Sequence, residues 1–302
     1  MTPELIPFDA GDALMDWNGL VDAFHAGHQR PKAEIEDLFL YRDPDTLLTR
    51  SAWIDGMGLL TKSGTIFPGN KDHGKPMIGG GVMLFDDTDG TLAAVIDFHL
   101  ITKWKTAGDS LMGALMLAPP QGAQNILIVG AGTVGENLIQ AFSAGYPDAN
   151  FTIWSRSPKT AEALAAKTGS RVATDLEAGV RAADIILTAT MTTDPIIKGE
   201  WLSPGQHLNM IGAYRPDMRE ADDAALLKSR VYVDSFDTTL GHIGELKIPL
   251  ETGVIGRDHV LADFYTPDAF TPTGDEITVF KNGGGAHLDL MTARFVLDRW
   301  RA

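Results

Sequence analysis

The stretch 125–145, NILIVGAGTVGENLIQAFSAG, constrains the fold of this chain more than any other. Its first five residues read as a short buried strand. Gly130-Ala131-Gly132-Thr133-Val134-Gly135 then makes a GxGxxG, and Val134, Leu138 and Phe142 follow at helical spacing up to a helix-stopping Gly145. A strand, a tight glycine turn and a helix in this order form a cradle for a pyrophosphate. The first glycine allows the turn, the second lets the backbone approach the phosphates, and the third lets the helix pack close to its strand. The positive end of the helix dipole favours the anion. Glycine turns that bind nothing are common, so the flanking strand and helix are what make this motif a dinucleotide site.

The chain beyond the motif keeps the same rhythm. Strands are expected at 151–154, 171–174, 184–190, 206–211, 230–234 and 277–280, with helices at 160–167 and 176–183 between them. Alternating strands and helices predict an α/β fold with a doubly wound parallel sheet, whose ligands bind beyond the carboxyl ends of the strands. That rule gathers Thr190, Met191, Gly212, Ala213 and Tyr214 near the nicotinamide end of a bound cofactor. Ordinary loop packing is the competing reading for Met191 and Tyr214. The strand at 151–154 ends in Ser155-Arg156-Ser157, where an NAD-specific site usually carries an acid for the ribose hydroxyls. Arg156 between two serines, followed by Lys159 and Thr160, suits a 2′-phosphate instead and favours NADPH, with NADH also possible.

The first hundred residues read differently. A helix is expected over 12–28. Short strands follow at 38–41, 46–48, 57–60, 65–67, 82–85 and 91–97, with a helix at 109–117. These spacings predict a mainly β, mostly antiparallel domain. Pro119-Pro120 marks the boundary, giving a first domain at 1–118, a dinucleotide domain at 119–286 and a final helix at 287–302 that returns to the first domain. Two domains suit a chain of 302 residues.

Charge narrows the partners. There are 25 Lys plus Arg against 40 Asp plus Glu, a net charge of −15, which disfavours nucleic acid and anionic membrane surfaces. Basic residues in the acidic first domain therefore stand out: Arg42, Arg50, Lys62, Lys103 and Lys105 are candidates for holding a substrate carboxylate. Each taken alone also fits a solvated surface charge. Lys62 lies beside apolar strand residues, and a desolvated lysine can pass protons near neutral pH. The chain has no cysteine, so disulfides, thiolate metal sites and a cysteine nucleophile are excluded. No histidine pair has metal-ligand spacing, and no metal site is expected. The N-terminus lacks a signal-peptide pattern, and no apolar run is long enough to span a bilayer. A cytoplasmic location is expected.

Several of these segments together resemble the ornithine cyclodeaminase/μ-crystallin family from about residue 38 to residue 294. Thr61-Lys62 through Phe67-Pro68-Gly69-Asn70 looks like that family's lysine and F-P-x-N turn. Thr102-Lys103-Trp104-Lys105-Thr106-Ala107 looks like its T-x-x-R-T-A, with Lys105 replacing the arginine. Residues 128–135, Ile153-Trp154-Ser155-Arg156, Gly244-Glu245-Leu246 and the segment from Val279 to Asp289 match further motifs. The resemblance implies a nicotinamide-dependent enzyme acting on imines of amino acids and a homodimer built through the first domain's sheet. It assigns the substrate carboxylate to Arg42, Lys62 and Lys105.

The cyclodeaminases of that family carry a Gly-Ala-Asp segment that supplies a catalytic carboxylate. Here the segment is Gly212-Ala213-Tyr214, and residues 215–223 are similar to the μ-crystallin branch, whose members are ketimine reductases. Cyclodeamination is helped by a base at the amine. Reduction of a ready-made cyclic imine needs a hydride donor, a carboxylate clamp and one proton. The resemblance therefore implies reduction of 1-pyrroline-2-carboxylate or 1-piperideine-2-carboxylate to proline or pipecolate, with Lys62 catalytic and Tyr214 beside the substrate. The alternatives are ornithine cyclodeamination, an alanine-dehydrogenase-like activity, and a non-catalytic NADPH-binding protein.

Overall fold

The computed structural model describes residues 2–118 and 123–302, so the proline pair at 119–120 lies outside the described residues. The chain divides into two compact units, one made of Met1–Lys105 with Gly284–Ala302 and one of Thr106–Gly283.

The first unit contains β1 (Glu4–Ile6), α1 (Phe8–Asp12), α2 (Trp17–His28), and the strands β2 (Glu34–Arg42), β3 (Asp45–Ile54), β4 (Gly58–Ile66), β5 (Ile78–Phe85) and β6 (Leu92–Asp97). They form one sheet in the order β1-β6-β5-β4-β3-β2. Only the β1–β6 pair is parallel; the rest are antiparallel. The helix expected over 12–28 is α2 and begins at Trp17 instead of residue 12, because the Asp16 carboxylate accepts the Gly19 N–H at 2.6 Å and caps it there; α1 precedes it. The short strands expected at 57–60 and 65–67 are one strand. Gly58, Leu60, Lys62 and Gly64 are buried in alternation, so the polar middle keeps the period of two and points Lys62 to the same face as Leu60. The helix Phe98–Leu117, α3, starts eleven residues before the expected 109. The division between the units falls inside it, ahead of the expected boundary at 118.

The C-terminal helix, Ala286–Arg301, belongs to this first unit and packs on α2, β3 and β4. Leu288, Met291, Val296 and Leu297 are buried, as are the polar His287 and Asp289.

The second unit is built on eight strands: β7 (Asn125–Val129), β8 (Asn150–Trp154), β9 (Arg171–Val172), β10 (Ile185–Thr188), β11 (His207–Met210), β12 (Ser229–Val233), β13 (Val260–Ala262) and β14 (Ile277–Lys281). Every pairing among them is parallel, in the order β13-β12-β14-β11-β10-β7-β8-β9. The connection from β7 runs to β8 on one side, while β10 flanks β7 on the other. The chain therefore reverses its strand order between β7 and β10, the point where such sheets bind ligands. Ile126, Leu127, Ile128, Val129, Ile186 and Leu208 are almost fully buried, the continuous apolar composition of strands covered on both faces.

Candidate functional site

The glycine turn meets each geometric demand of a dinucleotide cradle. Gly130 has φ +123°, and a Cβ there would stand 2.6 Å from the Ala189 carbonyl oxygen. A Cβ on Gly135 would collide with the Gly130 carbonyl oxygen, so the third glycine is what lets the helix Thr133–Gly145, α4, approach β7. Gly132 is different. It caps α4 in an extended conformation, and a Cβ there meets nothing within 4 Å. The second glycine therefore opens onto free space at a helix N-terminus, where a pyrophosphate would be received by the first-turn N–H groups around Thr133 and Val134. The residues present fit the group.

Ser155, Arg156 and Ser157 follow the end of β8, next strand over from the turn. Ser155 Oγ lies 3.1 Å from Thr160 Oγ1, and Ser157 begins the helix Pro158–Thr168, α5, which carries Lys159 in its first turn. Arg156 is exposed, and among the described residues no hydrogen bond or ion pair engages its guanidinium.

Two buried glutamates organise the carboxyl ends of β10 and β11. Glu220 Oε1 accepts both the backbone N–H and the hydroxyl of Thr190 at 2.7 Å, and its Oε2 accepts the Gly212 N–H at 2.7 Å. One carboxylate thus fixes two of the expected cofactor-contacting residues. Glu245 in turn accepts the backbone N–H groups of Glu220 and Ala221 at 2.6 and 3.1 Å. Burial, then the Glu220 charge, pushes the Glu245 carboxyl up to about 7. Lys281 is also fully buried. It donates to the carbonyl oxygens of Met210 and Asn282 at 3.0 and 2.7 Å, and burial lowers its proton affinity against the pull of Glu220, Glu245, Asp234 and Asp109. Met191 and Tyr214 lie 75% and 55% exposed in the loops that follow β10 and β11.

The first unit carries a second cluster. Lys62 on β4, Lys105 on α3 and Asp289 on the C-terminal helix are all buried, and Arg50 joins them from β3. Lys62 Nζ donates to Asp289 Oδ1 at 2.8 Å and lies 4.6 Å from the centre of the Phe98 ring. Lys105 Nζ donates to the Gly284 carbonyl at 2.6 Å and stands 3.9 Å from Asp289 Oδ1. Arg50 donates to Asp37 through Nε and a terminal nitrogen, and to Gly284 through the other. Burial pushes the Lys62 ammonium down to about 8, with Lys105 and Arg50 adding to the fall and Asp289 opposing it. Burial alone would raise the Asp289 carboxyl; Lys105, Lys62 and Arg50 outweigh it and hold it below its ordinary value. Burial pushes His287 down to about 3, so this neighbour is a neutral imidazole at neutral pH.

Arg42 is not part of this cluster. It is exposed at the β2–β3 turn and pairs with Asp45 at 2.5 Å. The register explains why. Asp37, Arg50 and Lys62 are direct partners across three strands and share one face. Arg42 lies five residues along β2 from Asp37, about 16 Å at ~3.3 Å per residue, and an odd offset turns its side chain to the opposite face. Lys103, the remaining basic candidate, donates to both oxygens of Asp12 at 2.8 and 3.0 Å. The arginine that joins Lys62 and Lys105 is therefore Arg50. The hairpin carries a signal for it, since Arg50 and Lys62 sit symmetrically about the turn at Gly56. Asp289 and Glu220 lie in segments that carry the family resemblance, but nothing local gives either a role; each role depends on contacts far away in sequence.

Among the described residues no group of three or more His, Cys, Asp or Glu side chains could hold a metal ion, and no helix is long and apolar enough to cross a membrane.

The chain is similar to several known proteins. The model of the ornithine cyclodeaminase/mu-crystallin family matches residues 54–302. The Delta(1)-pyrroline-2-carboxylate reductase of Paracoccus denitrificans is 43% identical over 97% of this chain and 96% of its own length. The ketimine reductase mu-crystallin of Rattus norvegicus is 34% identical over 80% of this chain and 76% of its own. Among solved structures, the Delta(1)-pyrroline-2-carboxylate reductase of Thermococcus litoralis, in complex with NADH and L-proline, superposes with a TM-score of 0.88. It covers 98% of this chain and 97% of its own at 23% identity, which establishes a shared fold.

Proposed function

The chain belongs to the ornithine cyclodeaminase/mu-crystallin family, and from that premise we propose that it is an NAD(P)H-dependent reductase of cyclic ketimine carboxylates. It reduces 1-pyrroline-2-carboxylate to proline or 1-piperideine-2-carboxylate to pipecolate. The observation that carries this reading is Lys62: a buried ammonium whose proton affinity is drawn down to about 8, grouped with Lys105 and Arg50 in a chain that also holds an intact dinucleotide cradle. Relatives named as reductases of such imines support it over most of the chain's length.

A bound nicotinamide dinucleotide supplies the hydride. The cradle at 130–135 would receive its pyrophosphate, and Thr190, Met191 and Gly212 would face the nicotinamide, with Glu220 holding the first and last of them. Ser155, Arg156, Ser157 and Lys159 would hold a 2′-phosphate, which favours NADPH and leaves NADH usable. Lys62 and Lys105 hold the substrate carboxylate as point charges. Arg50, tied to Asp37 and Gly284, adds a fixed positive field. Hydride adds to C2 of the imine, the C=N electron pair moves to nitrogen, and Lys62, or a water it orients, gives that nitrogen its proton. Protonation of the imine nitrogen makes C2 more electrophilic, so a proton held near neutrality is worth most here. Tyr214 offers no carboxylate base for releasing ammonia from an amino acid.

The reading includes a homodimer and a cytoplasmic location. Leu5, Leu38, Leu40, Trp53 and Met83 lie exposed on one face of the first unit's sheet, and a patch of that kind supports contact with a second copy. The absence of cysteine fits a reducing compartment, where a reduced cofactor is also available. Incubating the purified protein with NADPH and a panel of cyclic and linear ketimines tests the activity. Cofactor is consumed with the cyclic imines, and failure with every ketimine refutes the reading.

A further inference from the structure

The three cations of the first unit all lie within 4 Å of Asp289, but among them Lys62 alone hydrogen-bonds to it. Arg50 makes two hydrogen bonds to Asp37, and Lys105 is bonded to the Gly284 carbonyl. Lys62 hydrogen-bonds through its side chain to Asp289 alone, at 2.8 Å. Asp289 is fully buried, and among the described residues its Oδ2 takes no hydrogen bond, although Arg50 stands 3.8 Å from it. Its Oδ1 lies 3.9 Å from Lys105, beyond hydrogen-bonding distance. The carboxylate therefore serves all three cations electrostatically but makes its side-chain hydrogen bond to Lys62, which uses a single N–H on it and keeps two for other partners.

Among the described residues, the remaining groups around Lys62 offer no other anion for this task. The C-terminal helix presents Asp289 and a neutral His287, α3 presents Lys105 and the Phe98 ring, β3 presents Arg50, and β5 presents Val82 directly across from Lys62. Asp37, one strand further along the row, is occupied by Arg50. Without Asp289, the ammonium would face two like charges in a buried setting and would give up its proton.

We propose that Asp289 is the positioning residue for Lys62, aiming its ammonium through one hydrogen bond and keeping it protonated for transfer to the substrate nitrogen. This rests on the reading of Lys62 as proton donor. Asp289 itself touches no reacting atom in this account.

The test compares wild type, Asp289→Asn and Asp289→Glu in the full-length protein. Lys62 is titrated directly by NMR of isotopically labelled lysine side chains, assigned with Lys62→Arg, and reductase rates are followed across pH. Loss of the charge in Asp289→Asn shifts the Lys62 titration down by about one unit or more. The alkaline limb of kcat/KM moves with it, and kcat at neutral pH falls at least about tenfold, while KM for NADPH stays constant. Asp289→Glu keeps the charge but displaces it by a methylene, so the titration stays near its wild-type position while kcat falls. An unmoved Lys62 titration in Asp289→Asn overturns the proposal. Should that variant fail to fold, Asp289→Glu decides: a full wild-type kcat overturns it, and a lowered kcat with an unmoved titration supports it. Should wild type reduce no imine at all, the proposed activity fails, and the NMR titration alone still decides whether Asp289 governs Lys62.

Discussion

Glu245 Oε2 accepts the backbone N–H of Glu220 at 2.6 Å, so one buried glutamate holds the residue whose own carboxylate spans Thr190 and Gly212. The two strand ends expected to meet the nicotinamide are thus fixed through a relay of two acids, both fully buried. Burial and the Glu220 charge raise the Glu245 carboxyl from its ordinary 4.5 to about 7. Between those values the folded protein binds more protons than the unfolded chain. The stability this group contributes is full below about 4.5 and is lost as pH rises through about 7. The change is on the order of 3 kcal/mol at ~1.4 kcal/mol per unit. Glu245→Gln is predicted to flatten this part of the stability curve, measured by urea unfolding at successive pH values. A slope identical to wild type contradicts the assignment.

The glycines of the cradle separate folding from binding. Gly132→Ala places a methyl in space that the protein leaves open, so the melting temperature should stay within a few degrees while NADPH affinity falls about tenfold or more. Gly135→Ala drives a methyl into the Gly130 carbonyl and should cost about 1–3 kcal/mol of stability as well. Calorimetry of cofactor binding beside thermal unfolding distinguishes the two. Equal loss of stability in both variants contradicts the account of Gly132.

Arg156 is expected to discriminate between cofactors. A charge-assisted hydrogen bond contributes about 1.5–3 kcal/mol, so Arg156→Ala should weaken NADPH binding by roughly 10- to 100-fold and leave NADH nearly unchanged. Parallel weakening of both cofactors would mean that the guanidinium stacks on the shared adenine.

The apolar sheet face predicts the response of the assembly. Leu38→Glu together with Leu40→Glu puts two charges on exposed positions of β2, where a monomer would tolerate them. Light scattering is expected to show a dimer for wild type and a monomer for the double variant. A wild-type monomer at micromolar concentration contradicts the dimer.

The cradle was legible in the sequence because its demands are local. A positive φ, an open Cβ position and a close helix approach all fall within residues 130–135, and glycine answers each. The parallel sheet was legible for a similar reason, since its buried strands are short continuous apolar runs between helices. The substrate-side cluster was only half legible. Lys62 stands out in the sequence because it lies beside apolar strand residues, and the structure buries it in alternation with Leu60 and Gly64. Asp289 is 227 residues away in sequence and reaches it only through the return of the C-terminal helix. The choice among basic residues turned on strand register: one hairpin turn sets Arg50 opposite Lys62 and sends Arg42 to the far end and other face. The polar centre of the strand Gly58–Ile66 hides its alternation, so its sequence reads as two short strands.

The central claim is hydride addition to C2 of a cyclic imine carboxylate with a proton supplied through Lys62. Its most direct measurement uses NADPH deuterated at the transferable position, 1-pyrroline-2-carboxylate and the purified protein, with the product analysed by mass spectrometry and NMR. The account predicts proline carrying one deuterium at C2, formed by wild type and at a rate lowered by orders of magnitude in Lys62→Met. Proline without deuterium at C2, no proline at all, or a fully active Lys62→Met contradicts it.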